Sequence, residues 1–258
     1  MSAEIWQIAA RRRLRMVVLP VASHCPAPGC RARLDDHGDH LANCSRCGNL
    51  QRRAKPTERA WQRIFQEAGA RVQTQALLCD CGLGIASHDR RRIDLVARGL
   101  PLFGGLPIFG DASLVSAVHG DGTSWAGAAR RDGVALERAR RVHEDTYAEI
   151  CSSDRAKLVI LGSELEGRLS PDALTILRKL SAAKARQAPE LLQRSVQFAW
   201  HSRWLNLLSI TVQVAVAESL LRPGTTSTAE RDGPCPHLLE PLVDRSLDPP
   251  SFSRLPLR

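Results

Sequence analysis

The amino-acid sequence predicts a mixed α/β fold, a mixed four-stranded sheet flanked by helices, with a small Cys/His-rich module in front of it. Two observations carry this prediction. Helical and extended periodicities follow one another in the order helix, three strands, helix, strand, helix. Four of the eight cysteines and three histidines crowd into residues 24–47, a polar stretch that cannot form an apolar core by itself.

Taken in order, "PTERAWQRIFQEAGA" puts Trp61, Ile64, Phe65 and Ala68 on one face of a helix stopped at Gly69, with Thr57 as its N-cap. Three extended runs follow, Arg71 to Leu78, Arg91 to Ala97 and Ile108 to Val118, separated by a loop and by the turn "GLPLFGGLP". "GVALERARRVHEDTYAEI" reads as one helix from Gly133 to Ile150, and "AKLVILGSE" as a short apolar strand buried on both faces. "SPDALTILRKLSAAKAR" carries Ser170 at the cap, Pro171 at the first helical position and Asp172 in the first turn. A long helix runs from about Leu191 to Leu221, and the Pro-, Ser- and Thr-rich residues 222–258 read as a disordered tail. The chain thus divides into a basic segment (1–23), the Cys/His module (24–50), the main domain (51–221) and the tail.

With 258 residues, 43% hydrophobic and 24% charged, one sizeable core is expected and a disordered chain is excluded. The net charge of +9 is carried by arginine, since only Lys55, Lys157, Lys179 and Lys184 are lysines. Guanidinium forks suit phosphates and base edges, which makes DNA the first partner to test; a basic solvated surface is the plain alternative. No apolar run reaches the roughly 18 to 20 residues of a membrane span, and "WLNLLSITVQVAVAESLL" reads as a buried helix because Asn206, Ser209, Gln213 and Glu218 interrupt it. "AARRRLRMVVLP" is a poor signal peptide, so an intracellular protein is expected, whose thiols serve metal or stay free.

In "HCPAPGCRARLDDHGDHLANCSRCG" the best ligand set for a tetrahedral structural Zn²⁺ is Cys25, Cys30, His40 and Cys44, with Cys47 or His37 as substitutes. Cys79, Cys81, Cys151 and Cys235 are scattered and read as ordinary thiols. In "RRIDLVARGLPLFGGLPIFGDASLVSAV", Asp94 and Asp111 each sit inside or beside an apolar run of neighbouring strands. Two buried carboxylates brought together by a hairpin are costly unless they hold a cation.

The order helix–strand–strand–strand–helix–strand, with aspartates in the second and third strands, resembles the restriction-endonuclease-like PD-(D/E)xK nuclease core. "LDDHGDHLANC", "RRAKPTERAWQRIFQEAGARV", "RRIDLVARGLPL", "DASLVSAV", "TYAEI" and "GRLSPDALTILRKL" together resemble the C-terminal zinc-knuckle and endonuclease region of site-specific non-LTR retrotransposons, over roughly Leu14 to Leu221. The resemblance implies Mg²⁺-dependent hydrolysis of a DNA phosphodiester, with Asp94 and Asp111 as metal ligands, Glu58 on the first helix adding a ligand through water, and a nuclear location. It also implies a lysine, which "DAS" lacks; the displaced position of the retrotransposon branch is taken here by His143, which supplies positive charge only when protonated. A helix-surface histidine is the alternative. A complete element also carries a reverse transcriptase, for which this chain has no room, so that enzyme or element RNA is expected in trans. Three functions stay open: a DNA nickase, a catalytically inactive DNA-binding module, and a decayed remnant.

Overall fold

A computed structural model describes residues 2–18, 24–47 and 49–221. The expected tail and Cys235 lie outside the described residues. The chain is a mixed α/β protein. β1 (Arg71–Leu77), β2 (Arg92–Arg98), β3 (Ile108–Asp111) and β5 (Lys157–Ile160) form a sheet in that order, the first two pairings antiparallel and the last parallel.

Helices α3 (Asn49–Glu67), α6 (Pro171–Ala185) and α7 (Gln193–Leu221) cover one face. Their core holds Trp61, Ile64 and Phe65 from α3, Ile176, Leu177 and Leu180 from α6, and Trp204, Leu207 and Leu208 from α7, against Leu95, Ala97 and Ile108 of the sheet. On the other face α4 (Val134–Thr146) and the short α5 (Ala148–Cys151) lead into β5, and Tyr147 and Ile150 pack on Ile93, Val96 and Phe109. Ser170 caps α6 as expected, its hydroxyl accepting from the Ala173 N–H at 3.1 Å, with Pro171 opening the helix.

The first helix starts earlier than the sequence suggests. It runs through Pro56, and Thr57 is a buried interior residue whose hydroxyl donates to the Arg53 carbonyl at 3.3 Å, not a cap. Proline removes one backbone bond, but Leu50, Arg52, Arg53 and Ala54 favour helix, and a helical threonine can bond one turn back.

Two expected strands break. The run from Ile108 to Val118 ends as a strand of the main sheet at Asp111, and β4 (Leu114–Val115) joins a separate parallel pair with β6 (Ser163–Glu164). The run through Ala156 to Glu164 divides in step, and backbone bonds from Leu161 to Asp111, Ser163 to Ser113 and Leu165 to Val115 carry both chains through the bend. The helix expected over Gly133 to Ile150 is interrupted at Tyr147, whose side chain turns into the core.

The Cys/His module is fused to the rest. α2 (Asp39–Asn43) and the cysteines share a core with Val212, Val216 and Leu220 of α7. Within the basic N-terminal segment α1 (Ala3–Arg13) packs along α7. Contrary to the expectation that no run is long enough, residues 190–221 are long and apolar enough to cross a membrane by length and composition, but 56% of their most apolar window is buried inside the protein. The apolar side chains of α7 build two of the protein's cores, as the sequence suggests.

Candidate metal and carboxylate sites

The loop "LDDHGDH" positions the first site. The Asp35 carboxylate accepts the backbone N–H groups of His37, Asp39 and His40 at 2.7–2.9 Å, while Gly38 takes a left-handed turn (φ 74°) that starts α2. Burial works against ionisation of Asp35, but these N–H groups outweigh it and hold its carboxyl below the usual range. The α2 turn points His40 Nε2 at Cys30 Sγ, 3.4 Å away, and Cys25 Sγ lies 3.8 Å from Cys44 Sγ.

All four ligand atoms of Cys25, Cys30, His40 and Cys44 fall within 4.8 Å of one another. Two thiolates each 2.3 Å from a tetrahedral zinc stand about 3.8 Å apart. The four residues are therefore spaced to hold a metal such as zinc. Burial pushes the Cys25 thiol up to about 12. Burial also opposes ionisation of Cys44, yet the backbone N–H of Arg46 and its thiol neighbours bring it below its ordinary value. The two substitutes stand outside the cluster: Cys47 Sγ lies against the Cys44 carbonyl at 3.1 Å and His37 Nδ1 lies 3.4 Å from the Met16 carbonyl. Among the described residues no other group of this kind gathers.

Surrounding contacts fix the module. Asn43 Nδ2 reaches Ser116 Oγ and the Val118 carbonyl beyond β4. Buried Asp39 pairs with Arg12 at 3.2 Å and Arg15 at 3.0 Å, Arg12 also reaches Glu166, and Arg13 donates to the Glu166 carbonyl. Three of the four arginines of the basic N-terminal segment are thus engaged within the molecule. Arg91, in the arginine run Arg90–Arg92, is likewise held by Asp89 and Glu149 at 2.7 and 2.6 Å.

The second site lies where the sheet's strands end. The register pairs Leu95 with Gly110, so one step further brings Asp94 opposite Asp111; the β1 register likewise brings Gln75 opposite Asp94. Asp94 Oδ2 accepts the Ala112 N–H at 2.8 Å. Burial, then the charges of Asp111 and Glu58, push Asp94 up to about 7. Glu58, projecting from α3, is also raised, first by burial and further by Asp111.

Asp111 is 6% exposed, its Oδ2 lies 2.6 Å from His143 Nδ1, and its Oδ1 lies 3.2 Å from the Tyr147 hydroxyl. That hydroxyl also lies 2.9 Å from the Arg92 carbonyl. The hydrogen bond to Asp111 raises the pKa of His143 above that of a free histidine, against the opposing effect of burial. His143 therefore faces the carboxylate pair and is not a plain surface residue of α4.

Of the four residues expected at this site, His143 touches Asp111 directly and Gln75 links Glu58 to Asp94, so Gln75 and Tyr147 join the expected set. Tyr147 is the chain's sole tyrosine, a signal available in the sequence although no role follows from it alone. Gln75 left no signal. Its Nε2 donates to Glu58 Oε2 at 3.0 Å and to Asp94 Oδ1 at 3.1 Å, from a backbone in the left-handed region (φ 51°) in mid-strand. Such a conformation is uncommon for a residue with a side chain and persists where its surroundings enforce it.

No protein-family model matches this chain, and no curated protein matches it.

Proposed function

We propose that this protein is a metal-dependent DNA endonuclease of the restriction-like, PD-(D/E)xK kind, similar to the nuclease region of site-specific non-LTR retrotransposons, with a structural Zn²⁺ at Cys25, Cys30, His40 and Cys44. One observation carries the reading: two aspartates of adjacent strands face each other beside a third carboxylate and a histidine. Asp94 and Asp111 would hold Mg²⁺ through hard carboxylate oxygens, and Glu58 stands near enough to add a water-mediated contact. Bound there, Mg²⁺ would acidify a water and offset charge on the scissile phosphate.

The chain's own groups have distinct tasks in this reading. The Ala112 N–H fixes one oxygen of Asp94. Tyr147 lies within hydrogen-bonding reach of one oxygen of Asp111 and so helps fix its rotamer. His143, whose pairing with Asp111 favours its protonated form, would supply positive charge where the expected lysine is missing. Water adds to phosphorus, the bond from phosphorus to one sugar oxygen breaks, and that oxygen leaves with a proton. The net charge of +9 suits a polyanionic substrate.

A second reading, a catalytically inactive DNA-binding module, draws on the 2.6 Å contact of His143 with Asp111, which occupies an oxygen that a metal needs. Supercoiled plasmid decides between the two. Conversion to nicked circles that needs Mg²⁺, stops with chelator and is abolished by Asp111→Asn supports the enzyme. Salt-dependent DNA binding without nicking supports the module, and neither activity leaves the decayed remnant.

A further inference from the structure

We infer that the Gln75 side-chain amide is a built-in competitor for the cation, closing the carboxylate site until a metal displaces it; this rests on the reading of Asp94 and Asp111 as cation ligands. The single Nε2 group donates to Glu58 Oε2 at 3.0 Å and to Asp94 Oδ1 at 3.1 Å, so two acids from different elements, α3 and β2, converge on it. A neutral amide presents partial positive charge there, in the position of a cation bridging the same oxygens. It is the one side-chain donor that these two carboxylates share.

Gln75 can leave. Its side chain is exposed and packs in no core cluster, and its backbone is held independently by Arg92 Nη1, which donates to the Gln75 carbonyl at 2.9 Å. The other fixed donor at the site, the Ala112 N–H, belongs to the backbone and binds the opposite oxygen of Asp94, so it stays when the amide swings out. Asp94 Oδ1 and Glu58 Oε2 are thereby freed together. The cation must break two charge-assisted hydrogen bonds to enter, and the amide restores them when it leaves.

Mn²⁺ titration of the zinc-loaded full chain by calorimetry, comparing wild type, Gln75→Ala and Asp94→Asn, tests this. Gln75→Ala alters an exposed side chain, and a thermal melt checks that it folds. The expected result is Mn²⁺ affinity raised by on the order of tenfold in Gln75→Ala, since the competing hydrogen bonds are gone, and lost in Asp94→Asn. Binding by Gln75→Ala where the wild type shows none supports the inference equally. If the wild type binds in an Asp94-dependent way and Gln75→Ala binds no more tightly, the amide is no competitor and the cation reading survives. If neither protein binds Mn²⁺ through Asp94, the cation reading fails and takes this inference with it.

Discussion

The carboxylate of Asp94 accepts a hydrogen bond from the backbone N–H of Ala112, 2.8 Å away and next in the chain to Asp111. The two aspartates are thereby tied by the fold itself, whatever cation is present. Burial and the neighbouring charges of Asp111 and Glu58 push Asp94 up to about 7. A carboxyl raised on folding binds its proton more tightly in the folded state, so the metal-free protein loses stability as pH rises from about 4 to about 7. Chemical denaturation at pH 5 and pH 8 should show this loss, on the order of 2 kcal/mol. In Asp94→Asn the two values should draw together, and an unchanged difference would place the effect elsewhere.

His143 titrates in the same sense, higher on the pH scale than a free imidazole. Its pKa is raised, chiefly by the hydrogen bond to Asp111, so its contribution is fully present below the ordinary histidine value and fades as pH climbs through the raised one. An NMR titration should place the His143 midpoint above that of a free histidine. Asp111→Asn should return it toward the ordinary value. A bound divalent cation should do the same, because it takes charge from the carboxylate that holds the imidazolium.

The zinc assignment is open to direct chemistry. Protein purified without added metal should carry about one equivalent of zinc, and Cys44→Ala should lose it. Because the Cys/His module shares its core with Val212, Val216 and Leu220 of α7, loss should also lower the melting temperature of the whole domain. A normal melt with no zinc would show the cluster to be a packed thiol core.

The legible parts of this fold were those set by local pattern. The apolar face of Trp61, Ile64 and Phe65, the Ser170–Pro171 helix start and the Cys/His spacing each depend on a few neighbouring residues. What escaped depends on distant partners. Thr57 looks like a cap because it follows Pro56, yet its burial beneath the fold makes it an interior helical residue. The breaks after Asp111 and Ile160 arise jointly, since each chain bends only because the other pairs through the bend. Arg12 and Arg15 read as a free basic surface, whereas their carboxylate partners lie 24 or more residues away, and Arg91 is held by Asp89 close by and also by Glu149 of α5. Gln75 shows least of all: nothing in "RVQTQALL" marks one glutamine as facing two acids.

The missing lysine gives the sharpest test of the enzyme. His143 Nδ1 already lies 2.6 Å from Asp111 Oδ2, so its positive charge depends on a proton that is lost at alkaline pH. Its side chain is 28% exposed, which leaves room for a longer, flexible residue at this position of α4. His143→Lys would put a permanent ammonium beside the phosphate, able to pair with Asp111 or to reach past it. Mg²⁺-dependent nicking by the variant should therefore exceed that of the wild type, and the ratio should grow as pH rises through the raised pKa of His143 and its charge is lost. A ratio that stays constant as pH rises would show that the charge of residue 143 does not act on the reaction. Undetectable nicking by both proteins, with DNA binding intact, would leave the sheet and its carboxylates as a binding surface of nuclease shape.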